Sequence, residues 1–575
     1  MYIDRVPNRN SRPTVLLRES QRVGKRTVKR TLANLTALPE AAIAAVETII
    51  RGGQLINSDG VFGIECSTSC GKVMAIRIAM ERLGFMELIS SKPCKEQRLV
   101  VAMVAQRIMD PKSKLATATQ INEGALLAEF GLPEVNEDDL YNAMDWLAGR
   151  QQFIERKLAN RYLADGSTVF YDVSSSSYHG KHCTLAKRGY NRDGLKLPSI
   201  VYGLMADRSG RPMAIRVYPG NTADPVTVPD QIKALRSHFG VGRLVMVGDR
   251  GMLTQPQIDL LREQEECGWI SCLRSSDVKK LIESHDPTAE SLFTKRNLAE
   301  ITHADFPGER LIVCYNAYLA EDRAATRLEL LEATEKLLEK LRSQLTRRTR
   351  TPLSAGEVGV KAGRIINKFR VAKHFSLDVG DNRLEWERKA DSIEREAALD
   401  GIYIVRTSEP QSNLSASDAV HAYKSLGNVE KAFRTFKGVD LKVRPIYHRL
   451  ENRVRAHIFL CMLAYYVEWH MRQALAPLMY AEEELEQSRA MRDPVAKAEP
   501  TLKTRRKKTT KQSEDGLQLR SWTGVMDSMS NVVLNKCRIG DGKNKYYLNK
   551  TTELNPFQQK VIDLLKAEGE FWVFK

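Results

Sequence analysis

The chain has 575 residues, too many for one ordinary domain, so we expect three or four modules. Lys and Arg outnumber Asp and Glu by 88 to 71, and the resulting net charge of +17 makes a polyanion a plausible partner. The longest uncharged apolar run, Ile458 to Val467, is too short to cross a bilayer, and the polar start of the chain is unlike a secretory signal. These features predict a cytoplasmic protein with no membrane partner.

Basic residues cluster at Arg22 to Arg30, Thr346 to Arg350 and Lys503 to Lys511. A solvated face or linker explains any one cluster equally well, but three of them favour nucleic acid, because none lies on an apolar amphipathic helix. The nine scattered cysteines are odd in number and argue against a disulfide framework.

In chain order, residues 1–60 read as a small basic segment in which PTVLLRES and KRTVKRTLANL form two strands. Residues 61–165 show helical periodicity, as in EQRLVVAMVAQRIM, and predict a mainly helical domain that either binds DNA or serves only for packing. Residues 166–274 alternate β-rich and helical runs in the order β-β-β-α-β-α-β, which predicts a mixed sheet with helices on its faces.

Residues 275–399 interrupt this order with a long periodic helix, in which Leu331, Leu338 and Leu345 are seven apart, and with a hairpin in HFSLDVGDNRLEWER. We interpret them as a mixed α/β insertion. DGIYIVRT then restores a core strand at the start of segment 400–480, and residues 481–575 form a basic tail, loop-rich through Lys511, with a terminal helix.

In two predicted strands, a carboxylate follows the apolar residues. These carboxylates are Asp172 in TVFYDVS and Asp249 in LVMVGDRG. Strand ends of α/β sheets collect ligands and reactive groups, and adjacent carboxylates repel one another unless a cation lies between them. Magnesium is commonly held by one or two carboxylates together with substrate phosphates. An Asp at a strand end is, however, more often a turn or capping residue when it is considered alone.

The segment DAVHAYKSLGNVEKAFRTFKGVD supplies a third acid, because helical spacing places Glu430 and Lys437 on the edge of an apolar stripe. Arg434 lies one turn from Glu430, and Tyr423 falls near the same edge, although Gly427 weakens the prediction of one continuous helix. Glu430 alone would simply pair with Arg434.

Three other polar features have ordinary structural interpretations. Ser174 to Ser177 reads as a loop after a strand rather than as a nucleophile, and Asp224 reads as a turn residue before Pro225. Arg453 and His457 open an apolar helix, where the histidine is either a satisfied core group or part of a polar edge that approaches the site or DNA.

Several motifs together resemble the DDE transposases of bacterial insertion sequences, in the branch with a Tyr-x2-Arg-x3-Glu-x6-Lys signature. They are VPNRNSRPTVLLRES, YPGNTADP, VGDRGM and VEKAFRTFK with the following LKVRPIYHRLENRVRAHIFL. The signature falls on Tyr423, Glu430 and Lys437, but this chain has Leu426 at the position of the signature Arg. We expect Arg434 to make the DNA contact in place of that missing Arg. Asp249 and Glu430 are 181 residues apart, enough for the insertion.

The resemblance implies a ribonuclease-H-like, mixed five-stranded sheet flanked by helices, with Asp172, Asp249 and Glu430 as catalytic and metal-binding acids. Tyr423, Arg434, Lys437, Arg250 and Arg453 are the expected DNA contacts. The implied cofactor is a pair of Mg²⁺ ions, for which Mn²⁺ would substitute. The implied partners are element ends and target DNA, bound by a homodimer. A ribonuclease-H-like nuclease and a catalytically silent DNA-binding regulator remain the alternative functions.

Overall fold

The computed structural model describes residues 1–9, 11–53, 62–238, 243–264, 267–283, 297–483, 493–496, 499–540, 545–569 and 572. The chain divides into two compact units, one made of Met1–Cys70 and Asn531–Glu553, the other of Gly71–Ser530 and Leu554–Lys575. The boundary expected at residue 60 lies outside the described residues. In the part of the chain that is described, no helix is both long and apolar enough to span a membrane.

Among its described residues, the first unit has two small antiparallel sheets and one helix. Its elements are β1 Tyr2–Val6, β2 Thr14–Val23, β3 Arg26–Asn34, α1 Glu40–Ile50, β4 Phe62–Ser69, β15 Val533–Ile539 and β16 Tyr546–Thr551. The sheet orders are β1-β2-β3 and β16-β15-β4. The two strands predicted near the start are therefore confirmed, and the basic run from Arg22 to Arg30 spans the turn between them. Strands β15 and β16, in the tail, were not predicted.

The second unit opens with seven helices, as the periodicity of residues 61–165 predicted. They are α2 Gly71–Arg82, α3 Phe85–Ile89, α4 Lys95–Met109, α5 Lys114–Glu123, α6 Leu126–Glu129, α7 Glu137–Ala148 and α8 Gln151–Tyr162. Helix α4 is buried along most of its length because LVVAMVA is apolar on every face. Helix α7 begins at a capping box formed by Asn136 and Asp139.

An eight-stranded sheet forms the centre of this unit. Its strands are β5 Ser167–Ser177, β6 Ser199–Ala206, β7 Pro212–Pro219, β8 Leu244–Val247, β9 Cys267–Cys272, β10 Leu298–Ile301, β11 Arg310–Tyr315 and β14 Ile402–Thr407. They lie in the order β10-β11-β14-β9-β8-β5-β6-β7, with β5, β8 and β9 parallel and every other pair antiparallel. Helices α9 Val228–His238 and α10 Gln255–Arg262 complete the predicted order β-β-β-α-β-α-β, and α11 Ser275–Glu283 follows β9.

Two expectations about this sheet were wrong. The sheet has eight strands instead of five, because β14 pairs with β9 and the apolar runs of β10 and β11 pair onward from β14 instead of folding wholly within the insertion. The run from Ser174 to Ser177 is not a loop but the buried end of β5, where it pairs with Ser199 to Tyr202 of β6. Backbone pairing and hydroxyl partners satisfy these small polar residues; Ser176, for example, shares a hydrogen bond with the Tyr202 hydroxyl.

The segment between β11 and β14 has an apolar core of its own. It contains α12 Ala317–Arg347, α13 Ala355–Lys368, β12 Phe375–Gly380, β13 Arg383–Arg388 and α14 Ala390–Ala397. Leu331, Leu338 and Leu345 form the buried stripe of α12 that their spacing predicted, and they pack with residues of α13 and of the β12–β13 hairpin. The hairpin expected in HFSLDVGDNRLEWER is thus confirmed.

Two long helices pack against the sheet after β14. Helix α15, Ala416–Arg434, continues into a π turn at Thr435–Val439, and α16, Glu451–Ala474, is buried along most of its length. Among the described residues, the remaining α-helices are α17 Leu502–Thr510, α18 Trp522–Ser530 and α19 Pro556–Lys566. The basic cluster from Lys503 to Lys511, expected to be loop, is therefore mostly helix α17, which begins at the capping side chain of Thr501.

Candidate active site

Asp172 lies on β5, a central strand of the large sheet, just beyond the point where its pairing with β8 ends. The last parallel pair joins Phe170 to Val247, so Asp172 is two residues further along β5. The side chain is half-buried, and its Oδ1 atom accepts a hydrogen bond of 2.7 Å from the amide of Val173. One carboxylate oxygen is thereby fixed by the backbone that follows it.

Asp249 occupies the equivalent position after β8, two residues beyond Val247. Its Oδ1 atom accepts hydrogen bonds from the amides of Gly251, at 3.1 Å, and Met252, at 2.7 Å. Asp249 is therefore a turn-capping residue, as the ordinary interpretation holds, but its exposed side chain also reaches the cavity described below. Gly248 is required before it, because a Cβ there would lie 2.9 Å from Cγ of Leu253.

Glu430 lies on α15, which runs unbroken through Gly427 from its capping residue Ser415. The buried stripe of the helix, including Val429 and Phe433, packs against the sheet, where Phe433 contacts the ring of Tyr202 at a centroid distance of 5.8 Å. Glu430 is exposed on the edge of this stripe, as its spacing predicted.

One open cavity of about 740 Å³ brings the three acids together. It is lined by Asp172, Asp249 and Glu430, and by three of the residues expected to bind DNA, Tyr423, Arg434 and Lys437. Leu426, where the signature has Arg, is largely buried but also lines the cavity. Residues that are more than 250 positions apart in sequence thus meet at one edge of the sheet.

The electrostatics of the cavity show that its acids influence one another. Burial, together with the negative charges of Asp249 and Glu430, raises the pKa of Asp172 to about 7, although the Val173 amide and Arg192 oppose this shift. A cation in the cavity would remove this repulsion. Across the described residues, however, no three acidic, histidine or cysteine side chains are already close enough to form a metal-binding cluster.

Three ion pairs at or beside this cavity were not predicted from the sequence. Asp193, whose carboxylate is almost fully buried, pairs with Lys437 at 3.5 Å and with Arg444 at 2.6 Å. Arg192 pairs with Asp224, and both line the cavity. The segment YNRDG, which carries Arg192 and Asp193, contained the only signal: adjacent opposite charges in a glycine-containing turn.

These ion pairs determine which cations of the cavity are available to a ligand. Burial would raise the pKa of Asp193, but the Ser177 amide, Lys437 and Arg444 hold it below its usual range. Lys437 is therefore held in place by Asp193, which also pairs with Arg444. Arg434 is exposed at the cavity and has no ion-pair partner among the described residues, so it is the cation best placed to meet an incoming anion.

The remaining predicted contacts lie in different surroundings. Tyr423 is half-buried at the cavity, and burial together with the neighbouring Cys272 thiol raises its pKa. Arg250 is exposed and lies near Tyr423 and Cys272, but outside the set of residues that line the cavity. Arg453 pairs with Asp145 at 3.1 Å and lines a different cavity. The structure thus brings six of the eight predicted site residues together.

Comparison with known proteins identifies the family. The transposase DDE domain matches residues 164–467, more than half of the chain, and the N-terminal domain of IS1634 family transposases matches residues 3–59. No curated protein matches the chain. Among solved structures, it is similar to the Mos1 transposase paired-end complex with left transposon end, at 16% identity and a TM-score of 0.13, over 36% of this chain and 65% of that one.

The chain spans slightly less than two thirds of that solved transposase, and a likeness at this TM-score carries no weight for the fold or the site. The two family matches, by contrast, include the segments that supply Asp172, Asp249 and Glu430, and the strands at the start of the chain. The chain therefore belongs to the DDE transposase family.

Proposed function

We propose that this protein is the transposase of an insertion sequence. It binds the terminal inverted repeats of the element, cleaves a DNA strand there and joins the freed 3′-hydroxyl to target DNA. The observation that carries this proposal is the convergence of Asp172, Asp249 and Glu430 on one cavity in a chain of the DDE family. The alternatives are a nuclease that cuts without joining and a regulator that binds without cutting.

The sheet order supports a ribonuclease-H-like core. Five of its strands lie in the order β7-β6-β5-β8-β9, three antiparallel followed by two parallel, and acids lie just beyond the last paired residues of β5 and β8. We assign this core to residues 166–274 and 400–480, separated by an insertion at 275–399. The helical segment 61–165, the N-terminal segment 1–60 and the tail 481–575 are assigned to accessory roles in binding.

Asp172, Asp249 and Glu430 are the residues that would hold divalent cations. Their chemistry fits Mg²⁺, which takes oxygen ligands, and a bound cation would offset the burial and the repulsion by Asp249 and Glu430 that raise the pKa of Asp172. We propose two Mg²⁺ ions, with Mn²⁺ able to substitute. When bound, such ions supply an activated oxygen nucleophile and stabilisation of the leaving oxygen.

The side chains around the acids are suited to hold a phosphodiester. Arg434 presents an exposed guanidinium to the cavity, and guanidinium groups match phosphate oxygens with two parallel hydrogen bonds. Tyr423 lies about two helical turns from Glu430, on the same side of α15, and offers a hydroxyl to the strand. Lys437, held by Asp193, contributes charge rather than a mobile contact.

Neither proposed reaction step requires a covalent intermediate with the protein. In the first, water displaces the 3′ oxygen of the strand at the scissile phosphate, and the displaced oxygen takes a proton to become the free 3′-hydroxyl. In the second, that hydroxyl attacks a target phosphodiester, and one bond forms as another breaks. We propose that a homodimer on double-stranded DNA aligns two element ends for this purpose.

Assays with DNA that carries the terminal repeats of the element distinguish the three functions. The proposed transposase cleaves the end and, in the presence of Mg²⁺, forms a joined product with a target plasmid. Cleavage without joining would support the nuclease, and binding without cleavage would support the silent regulator. Asp259→Asn is a suitable control for loss of an acid, because Asp259 is exposed on α10 and does not line the cavity.

A further inference from the structure

A second cavity of the larger unit, about 900 Å³ in volume, is strongly basic. It lies between the end of α4, the start of α5 and the loop that leads into α16. Its lining includes seven Lys or Arg residues and, among the residues that the structure describes there, no Asp or Glu. Six of these seven basic residues are Arg107, Lys114, Lys442, Arg444, Arg449 and Arg453.

Lys114 is the most unusual of these cations. Its side chain is only 6% exposed, yet no hydrogen bond or ion pair to its ammonium group is found within the described part of the chain. Burial, reinforced by the nearby positive charge of Arg107, lowers its pKa to about 7. A buried, unpaired ammonium group is costly, and an anion in the cavity would offset that cost.

Two helix N-termini lie at the same cavity. Ser113, the capping residue of α5, and Leu450, the residue before α16, both line it. Leu450 provides no side-chain cap, so the first amides of the 24-residue helix α16 lack one of the usual partners. The positive end of a helix dipole favours a bound anion at both positions.

Some of the other cations of the cavity are already bonded to protein groups, and others have no ion-pair partner among the described residues. The Arg107 guanidinium donates to the carbonyls of Leu441 and Lys442, at 2.9 and 3.2 Å, and so fixes the loop. Arg453 pairs with Asp145. Lys442 and Arg449 are exposed and have no ion-pair partner in the described ranges, which leaves them available to a ligand together with Lys114.

Asp193 connects this cavity to the one that contains the three acids. Its Oδ1 atom contacts Lys437 of the acid cavity at 3.5 Å and Arg444 of the basic cavity at 2.6 Å. A polyanion that leaves the acid cavity past Lys437 would therefore meet Arg444 next. Mononucleotides and inorganic phosphate offer the same phosphate chemistry but would occupy one cavity only.

We propose that the basic cavity binds a backbone phosphate of the DNA strand whose scissile phosphate lies at the acid cavity, with Lys114, Lys442 and Arg449 as its cationic contacts. This inference rests on the proposed function and adds to it a phosphate-binding site remote from the acids. Arg453 would then lie beside this backbone phosphate and not beside the scissile phosphate.

The test compares Lys114→Met with the wild-type full chain in fluorescence anisotropy titrations of a labelled duplex, over a range of salt concentrations. We expect about tenfold weaker binding and a salt slope smaller by about one, as for the loss of one phosphate contact. The same variant should melt at a higher temperature without ligand, because a buried charge has been removed. A lysine needed only for folding would change melting in the opposite direction.

Lys340→Met is the matched control, because Lys340 is exposed on α12 and lines neither cavity. Wild-type duplex affinity in Lys114→Met would overturn the inference. If inorganic phosphate then still raised the melting temperature of the wild type but not of the variant, the site would hold free phosphate instead of DNA. Failure of the wild-type chain to bind any duplex would instead contradict the proposed function.

Discussion

Asp172 and Asp249 occupy equivalent positions on two adjacent parallel strands, each two residues beyond the Phe170–Val247 pair. Neighbouring strands lie roughly 4.8 Å apart, so this register alone sets the two carboxylates side by side at one edge of the sheet. Glu430 reaches the same cavity from a helix that packs on that sheet. Both carboxylates therefore line one cavity.

Asp249→Asn should abolish strand cleavage and leave duplex binding within about twofold of the wild type. The amide retains an oxygen that can cap the Gly251 and Met252 amides, so the turn should persist, while the charge needed to hold a cation is lost. We expect a fall in rate beyond the roughly 10–100-fold cost of losing a residue that only orients a metal ligand. Gel assays of cleavage and binding measure both, and an unchanged cleavage rate would exclude Asp249 from the catalytic set.

Asp193→Asn should lower the melting temperature of the larger unit by several degrees. Its carboxylate is 2% exposed and serves both Lys437 and Arg444, and removal of one partner from a buried ionic group typically costs about 3–5 kcal/mol. Asp378→Asn is the control, because Asp378 pairs with Arg383 on the surface, where such pairs contribute about 1 kcal/mol or less. Equal effects in calorimetry would show that the Asp193 pairs are not structural.

Arg434→Gln should weaken both duplex binding and cleavage, since Arg434 is an exposed cation of the acid cavity and has no ion-pair partner among the described residues. We expect about a tenfold loss of duplex affinity at low salt, and a smaller loss as salt increases, because the contact is electrostatic. Arg262→Gln, on α10 and outside this cavity, provides the control. An Arg434→Gln variant with wild-type affinity and cleavage would show that the substitute for the missing signature arginine lies elsewhere.

Glu468→Gln should make the larger unit less sensitive to pH. Glu468 is fully buried in α16, and burial raises its pKa to about 7, against the attraction of Arg472. Because the pKa in the folded state exceeds that of the unfolded chain, the wild type should lose stability as pH rises from about 4.5 to about 7. The variant lacks this loss, so its melting temperature should exceed that of the wild type by about 1–3 °C at pH 8 and by less at pH 5.

Melting curves at both pH values check this prediction. A difference between wild type and variant that does not change with pH would show that Glu468 titrates as an ordinary carboxyl. The substitution preserves the oxygen that accepts the hydrogen bond from Arg472, so loss of that contact should not dominate the comparison.

Local patterns were sufficient to predict the elements that carry the acids. The β-β-β-α-β-α-β order and the apolar stripe beside Glu430 follow from periodicity, because each element buries one face on the same sheet. The additional strands were missed because β10 and β11 join the sheet only through β14, which follows them by more than 80 residues. The buried Ser174 to Ser177 run was missed because its composition is typical of loops, and only its pairing with β6 makes it a strand.

The cations around the acids were harder to predict than the acids themselves. Lys437 was expected to contact DNA, but its partner Asp193 lies 244 residues earlier, in a turn that has no periodic pattern. Arg453 was identified as polar and near the site, yet the structure places it at the second cavity. Ion pairs between residues far apart in sequence form only in the assembled fold. Spacing within one helix therefore does not show which cations already have an ion-pair partner.

Divalent-cation binding to the full chain tests the central claim most directly. Titration with Mn²⁺, followed by its electron paramagnetic resonance signal, should show binding to the wild type that competes with Mg²⁺. That binding should be lost or strongly weakened in Asp172→Asn, Asp249→Asn and Glu430→Gln alike, and preserved in Asp259→Asn. Binding that survives all three substitutions would contradict the claim that these carboxylates form one metal-dependent active site.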